Sequence, residues 1–196
     1  MDRDQVEETV ELAGRRLTLV RPRSADELID EEAFADDEFL PYWAELWPSG
    51  VALARVVGGL ELGGVRVLEL GAGLGLPSLA AALAGADVLA TDWAEEAVEL
   101  LRANAARNGI ALRAERVPWN EPAPILEAAP WPLVLGADLL YEQRNADRLL
   151  ELLPLLGADV LLAEPGRPFA RGFFERAAER WEVEAVENRL YRLRLR

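Results

Sequence analysis

The stretch "VRVLELGAGLGLPSLAAALAGADVLATD" (residues 65–92) decides the fold. Its apolar start, "VRVLEL" (65–70), predicts a buried strand, and a glycine-rich loop then leads into an Ala/Leu helix at 77–84. A second strand, "ADVLATD" (86–92), follows the helix and ends on Asp92. Because a helical crossover joins parallel strands, this stretch predicts one strand–helix–strand unit of a parallel sheet.

The same alternation continues on both sides of this unit. Upstream, "SGVALARVVGGL" has helical spacing from Ser49 onward. Downstream, the pattern predicts strands at 112–117, 132–137 and 159–164. It predicts helices at 94–108, 146–156 and 169–180. The chain ends in "WEVEAVE" and "RLYRLRLR", which predict an antiparallel pair.

The N-terminal segment has a different pattern. Val6–Leu12 and Leu17–Arg21 flank the turn "AGRR" and predict a hairpin, while Ser24 and Glu27 form a capping box for a short helix to Phe34. We therefore expect an α/β fold, with a mostly parallel, doubly wound sheet, an antiparallel closing hairpin, and an N-terminal β-hairpin and helix. We expect one domain, residues 1–196, with an extension at 1–37 and the core at 38–196.

Length and composition fit a single domain. The chain has 196 residues, of which 51% are hydrophobic, enough for a sizeable core. The N-terminus "MDRDQVEETV" is acidic and polar, unlike a signal peptide, and no apolar run is long enough to span a bilayer. The absence of cysteine fits the cytosol. We therefore expect a cytoplasmic protein that acts as a monomer and does not bind membranes.

The residue types that are missing limit the chemistry. The chain has no Cys and no His, and all 21 basic residues are Arg. A histidine base, a cysteine or lysine nucleophile and a Schiff base are therefore excluded. A transition-metal site would need carboxylates alone, and we predict none. The chemistry must come from Asp, Glu, Tyr, Ser, Thr, backbone groups or a cofactor.

The formal net charge of −14 bears on partners. A nucleic acid as partner is disfavoured, because proteins that bind it need a basic footprint. An acidic surface can steer a basic protein toward a cleft. The alternative is that acidity only keeps the protein in solution.

Four carboxylates stand at predicted strand ends. They are Glu69, Asp92, Asp138 and Glu164. In open α/β sheets, ligands bind at the carboxyl ends of the strands, so the four side chains are expected to converge on one crevice and form a shared ligand site. Asp92 has an ordinary alternative as a helix N-cap, because Glu95 follows at capping-box spacing.

The loop after the first core strand indicates the ligand. Its glycines are Gly71, Gly73 and Gly75. A dinucleotide-binding loop would need glycine or alanine at position 76, where this chain has Leu76. Preceded by Glu69, the loop instead resembles the one that cradles S-adenosylmethionine in Rossmann-like methyltransferases. That resemblance implies that Glu69 lies near the methionine amino group and that the glycines allow close approach of the backbone.

More of the chain supports this resemblance. The acid that ends the second strand of such methyltransferases, here Asp92, binds the ribose hydroxyls. "PYWAELWPSGVALA", residues 67–93, "LLRANAARNG", "VPWN" and "LVLGADLLYE" together resemble the seven-strand protein-lysine methyltransferases, a family that includes the electron-transfer-flavoprotein β-subunit lysine methyltransferase. The resemblance covers roughly residues 38–170.

The most telling element of the resemblance is an Asp-x-x-Tyr after the fourth strand, here Asp138 and Tyr141. It implies that both are catalytic. Lysine is protonated at neutral pH, with a pKa of about 10.4. Asp138 could hold the incoming ammonium and aim it at the methyl group, while Tyr141 narrows and dries the channel. Proton loss to solvent or to Asp138 would then free the lone pair.

The resemblance also assigns tryptophans. It implies that Trp47 lies along the cofactor and that Trp93 and Trp119 border the adenine. Pro118 departs from the family, in which many members carry an acid or polar group there, so the adenine amino contact could use backbone instead. Trp43 and Trp47, four residues apart, could alternatively pack on one helix face.

Other residues have two possible roles each. Asn104 and Asn108 match helix asparagines of the family but could be capping or solvent-facing groups. Arg167 could pair with Glu164 or be a surface charge. Trp131 and Trp181 have no assigned role and are predicted as core or rim residues.

Three classes of function remain open at this point. The first is transfer of methyl groups from S-adenosylmethionine to a lysine side chain of a protein substrate. The second is methyl transfer to a small molecule or to another protein side chain, such as arginine. The third is a non-catalytic protein that binds S-adenosylmethionine. Asp138 and Tyr141 favour the first class, and the acids and glycines of the loop argue against the third.

Overall fold

The computed structural model describes residues 5–12, 14–23 and 41–196. The short helix predicted from Ser24 to Phe34 lies outside these ranges. Among the described residues, no helix is both long enough and apolar enough to cross a bilayer.

The N-terminal hairpin is confirmed. Strands β1 (Gln5–Leu12) and β2 (Arg15–Pro22) pair antiparallel, with Thr9 opposite Thr18. Gly14 lies in the turn at a φ of 73°, a conformation that glycine adopts without strain. The apolar side chains of the hairpin that face the core are Val10, Leu12, Leu17 and Leu19. Glu8 and Arg21 lie on the same face by strand alternation and pair with each other at 2.6 Å.

After a 3-10 turn at Tyr42–Ala44, the chain alternates between helices and strands. In the described part of the chain these elements are α1 (Pro48–Val57), β3 (Arg66–Leu70), α2 (Leu76–Leu83), β4 (Asp87–Asp92), α3 (Glu95–Arg107), β5 (Arg113–Arg116), α4 (Ala123–Glu127), β6 (Leu133–Ala137), α5 (Gln143–Leu156), β7 (Asp159–Ala163), α6 (Ala170–Ala177), β8 (Trp181–Glu187) and β9 (Leu190–Leu195).

The described strands after the hairpin form a seven-stranded sheet in the order β5-β4-β3-β6-β7-β9-β8. Strands β3 to β7 are parallel, and β9 runs antiparallel to both β7 and β8. This confirms the predicted doubly wound sheet with its antiparallel closing hairpin. The strand order changes direction between β3 and β6, which places a crevice at the carboxyl ends of these central strands.

Apolar side chains cover both faces of the sheet. One buried cluster joins α1, α2 and the hairpin to one face, and another joins α4, α5 and α6 to the other. Trp131 and Trp181 are both buried in the second cluster, so they are core residues. Continuous apolar strands such as β6 are what a sheet buried on both faces requires.

Two asparagines join the hairpin to the core. The Asn104 side chain accepts a hydrogen bond from the Val20 N–H (2.8 Å) and donates one to the Val20 carbonyl (2.9 Å). Asn108 makes the same pair of bonds with Thr18, each at 2.9 Å. The alternative of a capping or solvent-facing group is therefore wrong for the buried Asn104, whereas Asn108 is also the C-cap of α3 and donates to the Asn104 carbonyl (2.8 Å). Asn104 and Asn108 are four residues apart, about one helical turn, and Thr18 and Val20 are two residues apart on β2. The two distances are similar, so both amides reach the strand at once.

Some element limits differ from the predictions. Helix α4 was not predicted, because it is only five residues long and contains Pro124. Helix α5 begins at Gln143, three residues before the predicted start, since the extended Glu142 precedes it. Helix α6 ends at Ala177 and gives way to a turn before Trp181.

Candidate active site

A cavity of about 740 Å³ lies at the carboxyl ends of the central strands. All ten residues that the sequence predicted for the site line it: Trp47, Glu69, Gly71, Gly73, Gly75, Asp92, Trp93, Trp119, Asp138 and Tyr141. They come from β3 and β4, from the loops after β3, β4, β5 and β6, and from the segment before α1. The fold thus brings together residues that lie up to 94 positions apart, and their individual roles remain predictions.

The glycine loop follows β3 and forms one wall. Gly71, Gly73 and Gly75 have φ values of 57°, 51° and 74°, which favour glycine. A side chain at Gly73 would also place its Cβ 3.1 Å from the Trp43 carbonyl oxygen, and one at Gly75 would collide with Leu101. Both the backbone conformation and the space therefore require glycine in this loop.

Asp92 holds the glycine loop in place. Its carboxylate accepts hydrogen bonds from the Gly73 N–H (2.8 Å) and the Ala94 N–H (3.1 Å). The alternative of a helix N-cap is wrong, because Ala94 occupies the N-cap position of α3 and makes no side-chain cap bond. Burial raises the pKa of Asp92, and these backbone donors oppose that rise.

Glu69 is buried in β3 beneath the loop. Its carboxyl group accepts a hydrogen bond from the Ser78 hydroxyl, which α2 supplies. Burial raises the pKa of Glu69 to about 8, although the bonds from Ser78 act in the opposite direction. At neutral pH the carboxyl group is therefore mostly protonated until a cation arrives to pair with it.

The buried Glu69 predicts a pH-dependent stability. Because its pKa is about 8 in the folded protein and 4.5 normally, the ligand-free protein should lose stability as the pH rises from 4.5 to 8. Such a shift corresponds to roughly 5 kcal/mol in the free energy of unfolding. Urea denaturation at several pH values should show this loss, and Glu69→Gln should flatten it. The exposed Glu61→Gln is the matched control, and an unchanged slope in Glu69→Gln would contradict the assignment.

Asp138 follows β6 in the left-handed region, with a φ of 57°. Its backbone N–H donates to the Ala163 carbonyl at the end of β7 (2.8 Å). Both carboxylate oxygens accept hydrogen bonds from Arg167, from Nε at 2.7 Å and from Nη2 at 2.8 Å. The prediction that the Arg167 side chain pairs with Glu164 or lies on the surface as a free charge is therefore wrong.

Glu164 corrects a second expectation. It does not line the cavity, so three of the four strand-end carboxylates converge there and the fourth does not. Instead, one of its oxygens accepts hydrogen bonds from the N–H groups of Gly166 and Arg167 and shapes the loop after β7. Its other oxygen is buried without a hydrogen-bond partner among the described residues.

Aromatic rings line the cavity together with Asp138 and Arg167. Tyr42 packs edge-on against Tyr141 at 5.3 Å between ring centroids and against Trp47 at 6.2 Å. The Arg167 guanidinium lies 5.4 Å from the centre of the Trp47 ring. Burial raises the pKa of Tyr141, so the phenol stays protonated at neutral pH. This cluster can exclude water around a cation and attract it.

The tryptophans before α1 do not share a helix face. Trp43 lies in the 3-10 turn and Trp47 precedes α1, where its Nε1–H donates to the Tyr42 carbonyl at 2.8 Å. Both line the cavity. The sequence reasoning missed Tyr42 and Arg167 as cavity residues. The rule that placed the acids at strand ends could have found Arg167, because it closely follows β7.

Solved structures show the class of fold. The 16S rRNA N2 G1207 methyltransferase RsmC of T. thermophilus, solved with AdoMet and guanosine, matches 98% of this chain and 51% of its own at a TM-score of 0.67. Sequence identity is 16%. The fold is thus that of the Rossmann-like methyltransferases, as predicted.

Sequence comparison gives the family. The model of the lysine methyltransferase family matches residues 40–165, and the chain belongs to this family, as the resemblance predicted. A zebrafish (Danio rerio) protein N-lysine methyltransferase, METTL21A, is 36% identical over 122 residues, which are 59% of this chain and 56% of the relative. The Xenopus laevis electron transfer flavoprotein beta subunit lysine methyltransferase is 36% identical over 139 residues (65% and 53%).

A third relative has another named activity. The Xenopus laevis histone-arginine methyltransferase METTL23 is 32% identical over 151 residues, 74% of this chain and 62% of the relative. The chain spans a little more than half the length of these relatives.

Proposed function

We propose that the protein transfers methyl groups from S-adenosylmethionine to the amine of a lysine side chain in a protein substrate. One observation carries the proposal: a single cavity holds the glycine loop with its partner Asp92, and also Asp138 with its partner Arg167 and a cluster of aromatic rings. The glycine loop and Asp92 suit an adenosyl and methionyl ligand, and Asp138 with the aromatic rings suits a cation. Membership of the lysine methyltransferase family supports the assignment.

The residues present fit the cofactor. The glycine backbone leaves space that a Cβ would fill, and the protonated Glu69 can become an anion when an ammonium group pairs with it. Asp92 would accept hydrogen bonds from the ribose hydroxyls, and Trp47, Trp93 and Trp119 would contact the flat and apolar parts of the ligand. When bound, S-adenosylmethionine supplies an electrophilic methyl group on a sulfonium sulfur.

Asp138 and its neighbours would handle the substrate. The side chain is only 5% exposed, so a lysine that reaches it leaves bulk water. Asp138 accepts a hydrogen bond from the amine and directs its lone pair, while Tyr141 and Tyr42 narrow the approach. The amine must lose its proton to solvent or to Asp138 before the new N–C bond forms. A strong base is not required, because desolvation lowers the pKa of the lysine.

A second candidate is methylation of a protein arginine. The site already binds one guanidinium, that of Arg167, and one relative is named a histone-arginine methyltransferase. Lysine is favoured because the matching family model describes lysine methyltransferases.

We further propose that the ten cavity-lining residues predicted from the sequence bind the cofactor or take part in catalysis, in the roles given above.

The proposal extends to the organisation of the chain and its place in the cell. We propose a single methyltransferase domain over residues 1–196, a view supported by the hydrogen bonds between the hairpin and α3. We also propose a cytoplasmic monomer that binds neither nucleic acid nor membranes, supported by the net charge of −14.

The deciding experiment incubates the protein with methyl-labelled S-adenosylmethionine and a cell lysate, and identifies the labelled protein and residue. Label on a lysine of another protein is the expected result. Because the chain contains no lysine, label found on the enzyme itself cannot be side-chain lysine methylation and does not obscure the result. Label on arginine would favour the second candidate. Cofactor binding without any labelled protein would favour a non-catalytic role.

The cofactor assignment gives its own prediction. Gly73→Leu and Asp92→Ala should each weaken S-adenosylmethionine binding at least tenfold, about 1.4 kcal/mol, because one fills the loop and the other removes its anchor. Calorimetry checks both, with Gly172→Leu and Asp87→Ala as controls at exposed positions outside the cavity. Tighter binding of NAD than of S-adenosylmethionine would overturn the assignment.

A further inference from the structure

The proposed reaction leaves a question about charge. A carboxylate that holds a lysine ammonium also stabilises its protonated form, which has no lone pair for methyl transfer. In this structure the Asp138 carboxylate does not stand alone. Arg167 binds it through two parallel N–H···O bonds of 2.7 and 2.8 Å, the strongest geometry for such a pair.

The guanidinium is fixed on several sides. Its side chain is one-third exposed and packs over the Trp47 ring at 5.4 Å. The backbone N–H of Arg167 donates to the Glu164 carboxylate, which also accepts from Gly166 (2.7 Å) and so holds the loop. Arg167 is therefore built into the site, and it leaves lone pairs on both Asp138 oxygens, since a carboxylate can accept about four hydrogen bonds.

Three titratable groups on different elements lie close to the Arg167 guanidinium. The titratable groups that face the guanidinium are Asp138 at the end of β6, Glu164 at the end of β7 and Tyr42 in the 3-10 turn. Burial raises the pKa of Glu164, although the N–H groups of Arg167 and Gly166 oppose that rise. Asp138 is the group that binds the guanidinium by hydrogen bonds, so it is the acid that Arg167 pairs with most directly.

From this geometry we infer that Arg167 is a positioning residue that shares Asp138 with the substrate amine, so that the site accepts the neutral amine and does not trap the ammonium. The inference rests on the proposed function. Arg167 acts in two ways. Its positive charge weakens the attraction of Asp138 for a second cation, and its two N–H···O bonds fix the orientation of the carboxylate. The N–H bond of the ammonium would break and its proton would pass to water. The electron pair left on nitrogen would then form the N–C bond, as the bond between the methyl carbon and the sulfonium sulfur breaks and its electron pair goes to sulfur.

The kinetic test uses Arg167→Met with the protein acceptor found in the lysate assay. Near pH 7, the variant should lower KM at least about threefold, because Asp138 now binds the ammonium, and lower kcat about tenfold, because that ammonium keeps its proton. Near pH 9.5, where more of the lysine is neutral, kcat should return to within about threefold of wild type. A loss of kcat that alkaline pH does not relieve, or a higher KM, would overturn the inference.

Two further variants separate charge from folding. Arg167→Lys keeps the positive charge but not the fork, so it should keep the wild-type pH profile at a reduced rate. A pH profile of Arg167→Lys that follows Arg167→Met would contradict the charge argument. Arg192→Met breaks a similar fork with Asp159, away from the cavity, and should change neither KM nor the pH profile.

A binding test does not depend on methyl transfer. n-Butylammonium is titrated into ¹⁵N-labelled protein, and the amide shifts of residues 136–142 are followed. Arg167→Met should bind the probe at least about threefold more tightly than wild type, and the added change Asp138→Asn should abolish that gain. Equal or weaker binding by Arg167→Met overturns the inference. If wild type labels no protein, the proposed function fails, while this titration still decides the role of Arg167.

Discussion

Replacing Asp138 with Asn should lower lysine methyl transfer at least about a hundredfold while leaving S-adenosylmethionine affinity nearly unchanged. Asparagine has the same size as aspartate and tolerates the left-handed conformation at a φ of 57°, so the backbone should stay in place. It cannot take a proton or offset an ammonium, and its NH₂ group would face the donors of Arg167. The loss should therefore appear in transfer and not in cofactor binding, because Asp138 is not among the residues proposed to contact the cofactor.

Three measurements on the same proteins decide this prediction: cofactor affinity, melting temperature and methyl transfer. Asp138→Ala should be at least as impaired in transfer, although it also leaves Arg167 without its partner. Asp159→Asn is a matched control, since Asp159 forms a fork with Arg192 outside the cavity. If Asp138 were only a turn residue, Asn would preserve activity and Ala would mainly lower the melting temperature. Near-normal turnover of Asp138→Asn would therefore refute the catalytic role.

Replacing Asn104 with Ala should lower the free energy of unfolding by about 3 kcal/mol. The side chain is buried, and its removal leaves both the N–H and the carbonyl of Val20 without their partners. An unpaired buried polar group costs more than the lost bond itself, because water cannot replace the partner. Urea denaturation measures the effect.

The neighbouring asparagine provides a graded control. Asn108 makes equivalent bonds to Thr18 but is only half-buried, so Asn108→Ala should cost about 1 kcal/mol, since water can reach the broken bonds. Glu99→Ala on the exposed face of α3 should cost little. A change below about 0.5 kcal/mol in Asn104→Ala would show that the asparagine contacts do not stabilise the hairpin.

Much of the fold follows from local sequence patterns. The strands β3, β4 and β6 are apolar runs, and the intervening helices have clear periodicity, so both their type and their order were predictable. The rule that ligands bind at strand ends then placed Glu69, Asp92 and Asp138 at one cavity. Helix α4 escaped prediction because five residues with a proline carry almost no periodic signal.

The rest of the site depends on side-chain direction, which a sequence pattern does not give. Arg167 reaches across 29 positions to Asp138, and many rotamers of its long side chain were equally compatible with the sequence. Glu164 stands at a strand end like the other acids, yet it turns back to the two N–H groups of its own loop. Those donors become available only when the loop after β7 folds, so no spacing rule could distinguish Glu164 from Asp138.

The asparagine contacts have a consequence for how copies of this chain meet one another. In a two-stranded ribbon, unpaired N–H and carbonyl groups along an edge form a template to which a strand of another molecule can add. On β2, those of Thr18 and Val20 are already bonded to the amides of Asn108 and Asn104. The two asparagine side chains thus take the place that a third strand would have along β2. This edge of the ribbon is therefore closed to β-pairing with another molecule.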